Sequence, residues 1–155
     1  MNLSVETAKH FRDVHFGGNW TSVSLKETLA DVSRQQAVTK VHSFNTIAVL
    51  VYHTNYYVSA VLKVLQGEAL NASDTFSFDL PPIQSETDWK NLLNKTWADA
   101  ERFASLLEQL PESRFGEVFT DKKYGTYYRN MHGIIEHIHY HLGQIVVIKK
   151  LIAAQ

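Results

Sequence analysis

The stretch EHIHYHLGQI, residues 136–145, places three histidines at alternate positions: His137, His139 and His141. A β-strand would point all three side chains to one side, because successive strand residues alternate between the two faces of a sheet. An α-helix would separate them, because each residue advances by about 100° around the axis. Whether this stretch is strand or helix therefore decides both the fold class and the use of the histidines.

The residues around the stretch favour a helix. Spacings of three and four recur from about residue 126 to residue 153, a pattern typical of a helix with one buried face. The residues of this stripe are Ile134, His137, Ile138, His141, Ile145, Ile148 and Ile152. On such a helix His137 and His141 are about 40° apart, whereas His139 lies about 200° from His137. The helix thus splits the triplet into a pair on the apolar stripe and one outlying residue.

A short helical stretch that carries Leu25 and Leu29 is predicted upstream, together with three further helices. These three cover residues 4–16, which is short, residues 33–65 and residues 85–110. The second is rich in β-branched residues, a weak argument for a strand, but its length favours a helix because strands rarely exceed about 10 residues. The connection at residues 68–84 is polar, and the segment 112–124 is irregular with an extended piece.

Four amphipathic helices predict an all-α protein with a four-helix bundle. The alternative is an irregular α-helical domain. A length of 155 residues fits one domain, and we assign residues 1–155 to it.

Composition excludes several classes of function. The chain has no Cys, which rules out disulfides, thiolate zinc sites and a cysteine nucleophile. The formal net charge is −1 with both signs mixed, so we expect no nucleic-acid partner. The N-terminal residues lack the pattern of a signal peptide, and no apolar stretch is long enough to span a bilayer. We therefore expect a cytoplasmic protein without a membrane partner.

His53 joins the histidine pair as a candidate metal ligand. It lies in the most apolar part of the 33–65 segment, where burying an ionisable group is costly without a partner. Imidazoles at positions i and i+4 of a helix can reach one metal ion. The alternative is that each histidine is a core residue with a hydrogen-bond partner. The predicted ligands are His53, His137 and His141, the ion is Zn²⁺, Ni²⁺ or Fe²⁺, and at least one coordination position stays open.

The other candidate residues have weaker arguments. The remaining histidines are predicted to be surface or second-layer residues: His10, His15, His42, His132 and His139. Three tyrosines are near enough in sequence to line a pocket, although packing is the commoner role: Tyr56, Tyr57 and Tyr140. Gln144 either hydrogen-bonds a ligand or makes a helix–helix contact, which we favour. Gly143 is predicted to let another helix approach closely.

With these residues the chain resembles the DinB/YfiT-like family of metal-dependent enzymes. The resemblance is carried by His53 in LVYHTNYY, by His137 and His141 followed by LGQI, and by Trp20 ahead of SLKETL. It implies a four-helix bundle, often a homodimer, with a three-histidine metal site facing a pocket. Characterised members are thiol-dependent S-transferases or isomerases. Members often carry Arg after the second motif histidine, where this chain has Leu142, which weakens a thiol-transferase assignment.

Three classes of function follow. The first is a metal-dependent S-transferase or hydrolase that acts on a small molecule, with a low-molecular-weight thiol as one candidate partner. The second is a stress-response bundle that binds metal or ligand without turnover. The third is a helical interaction module whose histidines are core residues. Because ligating imidazoles must be neutral, metal affinity is expected to fall below about pH 6.5.

Overall fold

The computed structural model describes residues 2–154, and within them it contains seven α-helices and no β-strand. The helices are α1 Leu3–Phe16, α2 Leu25–Leu29, α3 Arg34–Val38, α4 Ile47–Leu65, α5 Asp74–Ser77, α6 Glu86–Glu108 and α7 Tyr127–Ala153. Short 3-10 turns occupy Glu112–Gly116 and Lys122–Tyr124. The all-α prediction is confirmed. In the described part of the chain, no helix is both long and apolar enough to cross a membrane. Cytoplasmic location and the lack of a nucleic-acid partner stay predictions.

The four long helices pack around a common core. Helices α1 and α4 each pack against both α6 and α7, so α1 lies diagonally opposite α4. A chain cannot reach the diagonal position through a tight turn, and residues 17–46, with α2 and α3, supply the crossing connection. Since α4 and α7 are neighbours, this arrangement brings His53 to the side of the bundle that carries His137 and His141.

Side-chain caps determine where the two site-bearing helices begin. The Thr46 side chain accepts a hydrogen bond from the backbone N–H of Val49 at the start of α4. At the start of α7, the Thr126 side chain accepts a hydrogen bond from the backbone N–H of Arg129. Caps of this kind contribute about 1 kcal/mol each. They define the first residue of each helix and therefore the direction in which each histidine points.

The prediction of one continuous helix over residues 33–65 is wrong. The chain leaves the helical conformation at Thr39 (φ −68°, ψ 126°), and His42 has a positive φ of 49°. The intervening sequence TKVHSFNT contains short polar side chains, which compete with helical hydrogen bonding by bonding to nearby backbone groups. His42 consequently lies exposed in a loop and shares no helical face with His53.

The extended piece predicted within residues 112–124 is confirmed. Val118 pairs with Thr126 in an isolated antiparallel bridge. The backbone N–H of Phe119 donates to the carbonyl oxygen of Gly125 at 3.0 Å. Gly125 has a φ of 76°, a conformation that disfavours residues with a Cβ. This turn positions Phe119 against the bundle.

His15 was predicted to be a surface or second-layer residue, but it lies in the core and is 1% exposed. Its Nδ1 donates to the carbonyl oxygen of Phe11 at 2.9 Å, and the two rings are 4.4 Å apart. Burial lowers the pKa of His15 to about 4. The folded protein therefore holds this imidazole neutral, and charging it opposes folding.

We expect His15→Gln to reduce the acid sensitivity of the metal-free protein. The unfolded chain takes up a proton near pH 6.5, whereas folded His15 resists protonation until about pH 4. Stability is therefore lost as pH falls from 6.5 to 4, and His15 accounts for about 3 kcal/mol of that loss. Urea unfolding at each pH measures it. His10→Gln, on the exposed face of the same helix, is the control; equal pH slopes for both variants would refute the assignment.

Within the described residues of a single chain, no helix approaches Gly143 closely, so the predicted close contact is not made there. Gly143 is exposed, and a Cβ built on it meets no atom within 4 Å. A helical glycine without a packing role lowers stability, because it has more backbone freedom to lose on folding. We expect Gly143→Ala to raise the free energy of unfolding by about 0.5–1 kcal/mol. Urea denaturation measures this gain, and a destabilised variant would show that the position has an unseen packing role.

Candidate metal centre

The three predicted ligands converge at one point between α4 and α7. The Nε2 atom of His137 lies 3.0 Å from the Nε2 atom of His53 and 3.1 Å from that of His141. One ring nitrogen from each of the three residues lies within 4.8 Å of the other two. The rings of His53 and His141 are largely buried, at 5% and 7% exposure. Sequence reasoning thus identified the three members of the cluster.

The spacing of the nitrogens fits a single transition-metal ion. Histidine nitrogens lie about 2.0–2.1 Å from such an ion, so two of them are about 2.9 Å apart at a right angle and about 3.4 Å apart at the tetrahedral angle. The separations of 3.0 Å and 3.1 Å fall between these limits.

Hydrogen bonds to the outer nitrogens orient two of the rings. Ser77 Oγ donates its proton to the carbonyl oxygen of Asp74 at 2.7 Å, so it accepts from His53 Nδ1 at 2.9 Å. Gln144 Oε1 accepts from His141 Nδ1 at 2.8 Å. Both bonds place the proton on Nδ1 and leave the Nε2 lone pair facing the cluster. Metal-ligating histidines are typically held in this way.

The two ring nitrogens of His137 also favour a cation at the centre of the cluster. Within residues 2–154 its buried Nδ1 has no hydrogen-bond partner. Its Nε2 faces the Nε2 lone pairs of His53 and His141, and a single N–H cannot satisfy both at full strength. A cation at the centre would accept all three lone pairs at once, which resolves the repulsion between them.

The environment keeps these imidazoles neutral. Burial is the main cause that lowers the pKa of all three histidines. For His137 the neighbouring His141 and His53 lower the pKa further, to about 4, although Asp74 partly opposes them. Neutral imidazole is the form that binds metal. Protons therefore compete with a metal at a lower pH than the 6.5 of free histidine.

Helix α5 and the residues beside it cover His53. The Phe78 ring stacks on the His53 ring at 3.9 Å with an interplanar angle of 17°. Tyr56 contributes by accepting a hydrogen bond from the backbone N–H of Ser73 at 3.0 Å. The sequence prediction treated this segment as a connection and missed Ser77 and Phe78. No periodicity links Ser77 to His53, which lies 24 residues away.

A cavity of about 600 Å³ opens beside His53 and His137. It is lined by His53, Tyr57, Ala60, Val61, Leu70, Ala72, Ser73, Asp74, Phe119, Tyr124, Asn130, Gly133, Ile134 and His137. Of the three tyrosines considered as pocket residues, only Tyr57 lines this cavity. Tyr140 is exposed and borders a second cavity of about 480 Å³.

The remaining candidates lie outside the cluster. His10 and His139 face each other across α1 and α7, with ring centroids 6.1 Å apart, and His139 is half-buried. His132 packs against Tyr128 at 4.3 Å. Gln144 was predicted mainly as a helix–helix contact, but the structure shows it as the partner of His141.

A helical protein with a three-histidine centre beside a cavity is the class that the fold and the site define. A family model described as the DinB superfamily matches residues 19–145, most of the chain. The protein therefore belongs to the DinB superfamily, as the resemblance indicated. No curated protein and no solved structure matches the chain.

Proposed function

We propose that the protein is a metal-dependent enzyme that holds Zn²⁺, Ni²⁺ or Fe²⁺ through His53, His137 and His141 and acts on a small molecule in the adjacent cavity. The observation that carries the proposal is the convergence of three Nε2 atoms, two of them oriented through Nδ1. An ion bound there would act as a Lewis acid and lower the pKa of water or of a thiol.

The chain itself supplies the substrate side of the site. His53 and His137 border the cavity, so the open side of the cluster faces any bound molecule. Apolar side chains such as Val61 and Ile134 form much of the wall and limit the access of water. Asp74 accepts a hydrogen bond from Tyr57 and adds a carboxylate to the same space.

These surroundings favour hydrolysis, or transfer with an uncharged thiol, over transfer with a thiol that carries carboxylates. Leu142, at the position where family members often have Arg, is 3% exposed and packs in the core. Among the described residues, no Lys or Arg lines the cavity. An anionic co-substrate would therefore find no cationic side chain there.

Metal loading tests the proposal. Chelator-treated protein titrated with Zn²⁺, Ni²⁺ or anaerobic Fe²⁺ is expected to bind one ion per chain. When the free metal concentration is 100 times the dissociation constant, the melting temperature of the protein should rise by about 5–10 °C. Thiol conjugation and ester hydrolysis are then assayed for the parent and for His137→Ala. No bound ion would favour the interaction module, and bound metal with equal rates would favour the non-catalytic binding protein.

We also propose a homodimer. Exposed apolar side chains cluster on the outer face of α7 and on the loop that precedes α4: Phe44, Tyr140, Val147 and Leu151. Contact between two copies through this surface would remove them from water. We expect light scattering to give twice the chain mass and Val147→Asp to give the mass of one chain. A parent protein that stays monomeric at high concentration would contradict the dimer.

A further inference from the structure

The cavity beside the histidines carries a single formal charge. In the part of the chain that the structure describes, Asp74 is the only Asp, Glu, Lys or Arg that lines it. Asp74 is the first residue of α5, and Tyr57 donates a hydrogen bond to its Oδ1 atom. Its side chain is exposed to the cavity solvent, so the carboxylate is available to a ligand.

Asp74 lies close to the histidine cluster. The Tyr57 ring packs against both His53 and His137, with centroid separations of 5.3 Å and 5.2 Å, and its hydroxyl reaches Asp74. Tyr57 therefore links the histidine cluster at one end of the site to the Asp74 carboxylate at the other. A molecule of modest size can contact the histidine end and the carboxylate at once.

Nearby cations do not reverse this charge. A neighbouring cavity of about 570 Å³ is lined by Arg114 and Lys123, but also by Glu68 and Asp121, so its formal charges cancel. Arg114 is further engaged by Glu117 in an ion pair of 2.9 Å. In the metal-free protein, Asp74 therefore dominates the electric field inside the histidine-side cavity.

We propose that this cavity selects small molecules that carry a protonated amine or a similar cationic group, which pairs with Asp74. The reacting part of the molecule then lies against His53 and His137, and its apolar portion contacts walls such as Val61 and Ile134. Carboxylate groups are disfavoured beside Asp74 by like-charge repulsion. The inference rests on the proposed function for the reaction at the histidine end, whereas the charge preference is a property of the cavity itself.

Three matched probes test the preference: benzylamine, benzyl alcohol and benzoate, which share a ring and differ in charge. Isothermal titration at pH 7.5 is carried out on metal-free and on zinc-treated protein. In the metal-free form benzylamine is expected to bind about three- to tenfold more tightly than benzyl alcohol, the range for a partly exposed charged hydrogen bond. Benzoate is expected to be the weakest ligand of the metal-free protein.

Substitutions assign the effect to one residue. Asp74→Asn keeps an oxygen acceptor for Tyr57 and should remove the advantage of benzylamine over benzyl alcohol. Asp74→Lys should make benzoate the preferred probe of the metal-free protein. Asp79→Asn, an exposed acidic residue on the same segment outside the cavity, should bind all three probes like the parent.

The proposal is overturned if benzoate binds metal-free parent protein as tightly as benzylamine, if Asp74→Asn leaves the ratio unchanged, or if none of the probes binds. Zinc binding is measured in the same samples and reports on the proposed function separately. Amine selectivity without zinc binding would leave the charge preference standing and remove the metal-dependent reaction. Zinc binding without amine selectivity would leave the metal-dependent reaction standing and remove the charge preference.

Discussion

Replacement of His137 by alanine is expected to lower the affinity for Zn²⁺ or Ni²⁺ by about 100-fold or more. His137 is the central member of the cluster, since its Nε2 lies within 3.1 Å of the Nε2 atoms of both other histidines. Zinc sites with four ligands bind the ion with a free energy of about 10–16 kcal/mol, which corresponds to about 3 kcal/mol for each ligand. Competition with a chromogenic chelator measures the affinity of parent and variant.

His139→Ala is the matched control for this loss. His139 lies on the same helix, two residues away, and is half-buried like His137, but it faces α1. We expect its metal affinity to equal that of the parent. The buried Nδ1 of His137 has no partner among the described residues, so His137→Ala removes no hydrogen bond at that atom. If both variants lose metal equally, the loss reflects a general disturbance of α7 and the ligand assignment fails.

Removing the hydrogen bond behind His141 is expected to weaken metal binding by about 10- to 100-fold. Gln144→Met keeps the length of the side chain but removes the oxygen that accepts from His141 Nδ1 at 2.8 Å. His141 then loses the contact that fixes its tautomer and its ring orientation. The same chelator competition measures the effect, and the free energy of unfolding of the metal-free variant shows that the fold is intact.

Gln144→Glu separates orientation from simple packing. A carboxylate at this position still accepts from Nδ1, and it makes the imidazole a stronger ligand. The affinity of Gln144→Glu should therefore equal or exceed that of the parent. Ser77→Ala should weaken binding as Gln144→Met does, because it removes the partner of His53 Nδ1. An affinity unchanged in Gln144→Met and in Ser77→Ala would show that these hydrogen bonds do not support a metal site.

The pair of histidines on α7 in the cluster was predictable because helical geometry relates residues that are close in sequence. Positions 137 and 141 are one turn apart on an apolar stripe, which places both rings on one face before any tertiary contact is known. His53 was identified by a different signal, the cost of an ionisable group in an apolar segment. His53 lies beside His137 and His141 because α4 and α7 are neighbours. The family resemblance indicated this adjacency, whereas helical periodicity does not predict it.

The residues that cover His53 were not predictable, because helical geometry does not relate them to His53. Ser77, Asp74 and Phe78 lie in a four-residue helix and its end, too short to show a period. Their roles come from tertiary contacts with His53 and Tyr57 on α4. The break between α3 and α4 was missed because apolar spacing on either side continues in phase, while short polar residues in residues 39–46 end the helical hydrogen bonding.

The most direct test of the metal centre is anomalous diffraction from crystals of the zinc- or nickel-loaded protein, recorded on both sides of the metal absorption edge. One edge-dependent peak is predicted between α4 and α7, about 2.0–2.1 Å from the Nε2 atoms of His53, His137 and His141. A crystal of metal-loaded protein with no such peak there, or with the ion bound by other side chains, would contradict the account.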